Sequence, residues 1–319
     1  MQKIIDFSNY ENGYRDYGGS DSKKSIEYSG NKYMIKFPSM LEKTNEFQTS
    51  IVNNVISEYI GSHIMQSLEI ETHDTLLGIY NGEPVVACKD FTRDGYRLQQ
   101  FSWFMLSMYR KYEIGRIPTY KQIYDVIRNH PILRPISGQA LDNYWEMFVG
   151  DALIGNFDRH KGNWGYLINE DTHDVMLAPV YDCGSCLYPE ISDEKIDYVL
   201  QNEDEIEKRI SVFPKSAINK NENPRKIEKY GYYELLSSDI SGECLKALRK
   251  IAPKIDLNKI NSIIENTPFI SDIRIDFYKK MVKYRKERII DKAYEILIQK
   301  EQKVDRGTLI RRINRGGAR

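Results

Sequence analysis

Through the first 92 positions the apolar residues alternate in short runs punctuated by turn residues; from about residue 96 they recur at steps of three and four. Alternation marks half-buried strands, and the longer step marks one buried helix face. Strands are expected over residues 4–7, 25–28, 33–37, 75–80 and 85–88. Ser29-Gly30-Asn31-Lys32 joins the second to the third and Asn81-Gly82 joins the last two, both of hairpin-turn composition. A single helix interrupts them, predicted over 46–68, because Val52, Val55, Ile56, Tyr59, Ile60, Ile64 and Leu68 fall on one stripe. The expected product is a small antiparallel sheet with one helix. Further on, helices are predicted over 98–112, 121–127, 138–154, 199–209, 242–251, 258–265 and 271–299. One hairpin, 164–168 with 175–180, breaks this helical region. The fold class is therefore α+β in two lobes, residues 1–92 rich in strands and 93–300 mainly helical. Residues 301–319, with Arg306, Arg311, Arg312, Arg315 and Arg319 and few apolar anchors, read as a basic flexible tail.

Composition narrows the class. With 319 residues, 41% of them apolar, the chain can bury a core large enough for a two-lobed enzyme. Its 46 basic and 46 acidic residues cancel, so no overall field favours nucleic acid or an anionic membrane, and stable nucleic-acid binding is not expected. No segment approaches the roughly 20 apolar residues that cross a bilayer, and no basic stretch followed by an apolar one opens the chain. The expectation is a cytoplasmic protein. Four cysteines, Cys88, Cys183, Cys186 and Cys244, lack the density of a disulfide framework. Cys183 and Cys186 form a C-x-x-C without a second ligand pair, which favours packing over metal or redox chemistry. The five histidines show no ligand spacing.

The chemistry gathers around the one hairpin of the helical region. Gly155-Asn-Phe-Asp-Arg-His-Lys-Gly-Asn163 follows an apolar helical run, and Asp182 lies nineteen residues beyond Asn163, at the end of the returning strand. Phosphoryl transfer from ATP needs a carboxylate near the attacking hydroxyl, an amide oxygen for Mg²⁺, and a second carboxylate holding the metal on the phosphates. Asp158, Asn163 and Asp182 supply these groups in that order. In the first lobe, Lys36 is a lone cation in the apolar strand Tyr33-Met34-Ile35-Lys36-Phe37, where a buried ammonium needs a fixed counter-charge. Glu58, beside Val55 and Tyr59 on the helix, is its natural partner; such a pair holds the α- and β-phosphates in kinases. Gly18-Gly19-Ser20-Asp21-Ser22 offers backbone amides free of bulky side chains for phosphate contact, and Val86 and Cys88 lie on the strand whose end would meet the adenine edge.

The chain resembles the HipA-like serine/threonine kinases, most closely the short CtkA-type branch. The matching segments include Tyr33-Met-Ile-Lys-Phe-Pro38, Ser57-Glu58-Tyr59, Gly155-Asn-Phe-Asp-Arg-His160, Gly162-Asn-Trp-Gly165 and Asp182-Cys-Gly-Ser-Cys-Leu-Tyr-Pro189, and the likeness runs to about Ile296. It implies a bilobal protein-kinase-like fold, dependence on ATP and Mg²⁺, and a protein substrate with a Ser or Thr acceptor. Lys36 matches the nucleotide lysine and Asp158 the catalytic aspartate; Asn163 and Asp182 match the metal ligands. His160 joins them in the nucleotide site, and Gly18, Gly19, Ser20 and Ser22 match a mobile phosphate loop in which Ser20 or Ser22 would be autophosphorylated. Arg159-His160 follows the aspartate here, where eukaryotic protein kinases carry His-Arg before it. That order also resembles phosphatidylinositol kinases, so a lipid or small-molecule acceptor stands as an alternative, as does a non-catalytic binding module of kinase fold. The chain is shorter than the larger members, some of which meet a DNA-binding antitoxin through an extra N-terminal region.

Overall fold

The computed structural model describes residues 4–10, 23–40, 52–92, 95–238 and 240–303. Its first part is a five-stranded sheet of β1 (Ile5–Asp6), β2 (Lys23–Tyr28), β3 (Asn31–Lys36), β4 (Thr75–Tyr80) and β5 (Glu83–Lys89), in the order β1-β4-β5-β3-β2. Two tight turns set it up. Ser29 and Gly30, and then Asn81 and Gly82, take positive φ at both central positions, the hand that matches strand twist in a two-residue hairpin. The sheet is not wholly antiparallel as expected, because β1 pairs parallel with β4. Tyr33, Ile35, Val85 and Ala87 pack with Phe7 and Ile26 on one face. Strand alternation then turns Lys36, Val86 and Cys88 to the other face, toward the helix.

That helix, α1 (Asn54–Ser67), begins later than its stripe predicts; Asn53 lies outside it, and residues 41–51 are outside the described set. It packs on β4 and β5 on one side and on the helical lobe on the other. Consequently Ser57, Glu58 and Ser62 are as buried as Ile56 and Ile60.

A strand, β6 (Tyr96–Gln100), leads into α2 (Phe101–Met108) and α3 (Lys111–Ile114), where a single helix was expected. β6 forms by pairing with β7 (Gly165–Asn169), which also pairs with β8 (Val175–Leu177), giving a second, three-stranded sheet. α4 (Tyr120–Asn129) and α5 (Ser137–Ile154) follow the predicted periodicity, as do α9 (Gly242–Ile251) and α10 (Leu257–Glu265), which the short α8 (Tyr232–Leu236) precedes. The helix expected at 199–209 is two: α6 (Asp193–Leu200) and α7 (Glu203–Glu207). Asn202 breaks it, accepting backbone N–H bonds from Asp204 and Glu205 as the cap of a new start. α11 (Asp272–Arg285) passes through a π-helical turn, Lys286–Asp291, and residues 292–303 carry on as helix. One apolar core joins α1, Leu77 and Val86 to α5, α9 and α11. The two lobes meet along it.

Candidate active site

Lys36 reaches across this junction. Its Nζ lies 2.9 Å from Glu58 Oε2 and 2.9 Å from Asp182 Oδ1, with only 8% of the residue exposed. Burial disfavours the charge on this ammonium, but the Glu58 and Asp182 carboxylates outweigh it and hold its pKa well above the ordinary lysine range. Burial likewise pushes the Glu58 carboxyl up, yet Lys36 and a hydrogen bond from His73 bring it far below the usual carboxylate range. The expected ion pair is present, and Asp182 from the other lobe is its third member.

Asp182 is placed by an unusual backbone. Its φ is +60°, a region that Asp and Asn enter more readily than most residues and that tends to recur at functional sites. The strand leading to it is tied to the connection after α1: Val180 N–H donates to Glu71 O (2.8 Å), and His73 N–H to Val180 O (3.0 Å). Beyond it, Cys183 N–H donates to Glu58 Oε1 (3.0 Å). Cys183 and Cys186 are both fully buried against Gly61 of α1, where a Cβ would lie 2.8 Å from Cys183 Cβ and 2.9 Å from Cys186 Sγ. The C-x-x-C thus serves as small packing residues, with the Cys183 thiol pushed up by burial to about 12.

The loop with Asp158 grows out of the end of α5, which Gly155 terminates in the left-handed conformation. Asp151 in the last turn is buried and grips the loop. Arg159 Nε lies 2.9 Å from its Oδ2 and Nη2 3.1 Å from its Oδ1, while Asn156 Nδ2 donates to Oδ1 at 3.0 Å. Arg159 Nη1 also donates to Asn163 O (2.8 Å) and to Tyr181 O. One guanidinium therefore joins the loop to the residue before Asp182. Asn163 Nδ2 donates to Asp158 O (2.9 Å), and its amide oxygen accepts no hydrogen bond among the described residues. The Asp158 carboxylate accepts no hydrogen bond among the described residues; burial pushes its pKa up, and Asp182 adds to this against the opposing His160, Lys229 and Arg159. His160 is exposed and accepts the Gly162 N–H on Nδ1 (3.0 Å).

Lys36, Glu58 and Asp182 meet directly, and Asp158, Asn163 and His160 share the loop that Arg159 ties to the residue before Asp182. Val86 and Cys88 lie on β5, which is flanked by β3 and β4, so their backbone groups face the two ladders. Gly18, Gly19, Ser20 and Ser22 lie outside the described residues. Sequence reading missed Asp151, Arg159 as a structural cation, and His73. Asp151 did carry a signal, being the one carboxylate in the apolar run 147–154; His73 carried none.

A model of the HipA-like C-terminal domain matches residues 16–231. The chain belongs to the HipA-like family. It is 40% identical over 304 residues to the serine/threonine-protein kinase CtkA of Helicobacter pylori strain J99, covering 93% of this chain and 91% of that one. The crystal structure of the H. pylori proinflammatory kinase CtkA superposes with a TM-score of 0.86 at 38% identity, over 93% of this chain and 98% of that one. HipA of Shewanella oneidensis MR-1, solved with HipB and operator DNA, shares the fold with a TM-score of 0.51 at 16% identity, over 89% of this HipA-like chain and 68% of that one.

Proposed function

We propose that this HipA-like chain is a serine/threonine protein kinase that transfers the γ-phosphoryl group of ATP to a hydroxyl on a protein. The observation that carries the reading is Lys36, held between Glu58 and Asp182 across the lobe junction while Asn163 and Asp158 stand on the adjoining loop. Likeness to a curated serine/threonine kinase over nearly the whole chain supports the reaction class.

In this reading Lys36 binds the α- and β-phosphates and Glu58 keeps the ammonium aimed at them. Asn163 and Asp182 would hold Mg²⁺: an amide oxygen and a partly exposed carboxylate make the hard-oxygen donor set that this ion prefers. When bound, the ion neutralises charge on the phosphates. Asp158, whose carboxylate has no hydrogen-bond donor among the described residues, accepts or orients the proton of the acceptor hydroxyl; a positioned acid or base contributes about 10²–10⁴-fold. Adenine would meet the chain beyond Lys89, where the β5 ladder ends. Gly18 and Gly19 would cover the phosphates, and Ser20 or Ser22 would take the autophosphorylation. Among the described residues no helix is long and apolar enough to cross a membrane.

The test is incubation with γ-labelled ATP and Mg²⁺ in a cell lysate, followed by separation of protein and lipid and by phosphosite mapping. Label is expected on Ser or Thr of protein, with Asp158→Asn and Asp182→Asn reducing transfer by at least about 10²-fold. Label confined to the lipid fraction would replace the acceptor class, and full activity in both variants would end the kinase reading.

A further inference from the structure

Beside the Lys36–Glu58 pair stands a buried histidine. His73 lies between α1 and β4, is 4% exposed, and sits against the Phe91 ring. Its Nε2 is 2.9 Å from Glu58 Oε1. Cys183 N–H meets that same oxygen at 3.0 Å, while Oε2 faces Lys36 Nζ at 2.9 Å. A carboxylate can only accept, so Nε2 must carry the hydrogen. Three donors, from β3, from the α1–β4 connection and from the turn after Asp182, thus fix the rotation of one carboxylate. The terminal torsion of glutamate is intrinsically broad, so fixing it needs donors on both oxygens.

His73 is also coupled to the other lobe through its backbone, which donates to Val180 O two residues before Asp182. The residue therefore touches both partners of Lys36 indirectly, Glu58 by its ring and the Asp182 strand by its main chain. A metal site is the rival reading, since ligand atoms of Glu58, His73 and Cys88 lie within 4.8 Å of one another. Against it, Lys36 already neutralises the carboxylate, and burial pushes the Cys88 thiol far above the range in which it would ionise.

We propose that His73 is a positioning residue for phosphoryl transfer: its Nε2–H locks the Glu58 carboxylate so that Oε2 presents Lys36 to the nucleotide. The inference rests on the assignment of Lys36 as the nucleotide lysine.

Its test uses the whole chain in the variants His73→Phe, His73→Gln, His73→Asn, Glu58→Gln, the double variant His73→Phe/Glu58→Gln, and Lys36→Met. The readouts are affinity for the ATP analogue AMP-PNP with Mg²⁺, the initial rate of γ-phosphate transfer to protein, and bound zinc. His73→Phe should lower kcat/KM for ATP by about 10–100-fold, the scale of a small misplacement of a reacting group. Gln places an amide N–H near the Nε2 position and should restore the rate to within about threefold, whereas the shorter Asn should not. The double variant should match Glu58→Gln alone, because a residue acting through another adds nothing once that other is gone. If His73→Phe does not fold, the Gln and Asn pair carries the comparison. Wild-type kinetics in His73→Phe or Asn, additive losses in the double variant, or stoichiometric zinc lost on His73 replacement would overturn the inference. Unchanged affinity and rate in Lys36→Met would instead overturn the lysine assignment beneath it.

Discussion

At the scale of single residues, this site is organised by buried charges, each of which had to find a partner. Lys36 and Glu58 were legible because a lone cation in an apolar strand, or a carboxylate beside a helix's apolar stripe, is costly unless paired. The same logic applies to Asp151, whose partner Arg159 lies in the loop that carries Asp158. Breaking such a pair leaves an uncompensated charge, so the clamp both orders the loop and makes it intolerant of change. Glu58 gives a direct acid test. Its folded pKa lies below its ordinary value, so the ionised form stabilises the fold at neutral pH, and that contribution is lost as pH falls below about 5. Thermal midpoints measured from about pH 7 to about pH 3 should fall more steeply for the wild type than for Glu58→Gln. Parallel slopes would show that the carboxylate is not held as its contacts indicate.

Among the elements, α1 decides the geometry, because it carries Glu58 and lies against the turn that follows Asp182. Gly61 permits that approach. Alanine in a helix interior ordinarily gains about 1 kcal/mol over glycine, but here its Cβ would meet Cys183 Cβ at 2.8 Å and Cys186 Sγ at 2.9 Å. Gly61→Ala should therefore destabilise by about 1–3 kcal/mol, as overpacking does, and weaken nucleotide binding as well. Gly138→Ala in α5, where nothing lies within 4 Å of the added carbon, is the control and should be neutral or stabilising. Denaturant midpoints of the two variants distinguish packing from propensity. Hairpin turns and most long helices were readable because their determinants are local: Asn81-Gly82 for a turn, three-to-four spacing for α5 and α9. β6 was not, since its five residues become a strand only by pairing with β7, and the break at Asn202 depended on a cap inside an otherwise continuous helical pattern.

For the molecule as a whole, the continuous core from α1 and the sheet through α5 to α11 predicts that the lobes unfold together. Nucleotide should then stabilise the entire chain. AMP-PNP with Mg²⁺ at about 100 times its Kd should add about 2.7 kcal/mol, shifting a single calorimetric transition upward, and Lys36→Met should abolish most of the shift at the same concentration. Two transitions, of which only one responds, would mean that the lobes are energetically separate. The net charge of zero gives no overall field toward polyanions, consistent with recognition confined to the junction.

Residue types and their spacing were enough to determine the strand-rich first lobe, the helical second one, and the order in which lysine, glutamate, aspartate, asparagine and aspartate appear, because turns, helical faces and isolated buried charges are properties of short stretches of chain. Only the tertiary structure decided that Asp182 shares Lys36 with Glu58, that Arg159 ties the loop to the Asp182 strand, and that His73 closes the third side of the Glu58 carboxylate. Those contacts join positions from 15 to 146 residues apart, and which of the available partners a buried charge takes is settled by how the lobes pack against each other.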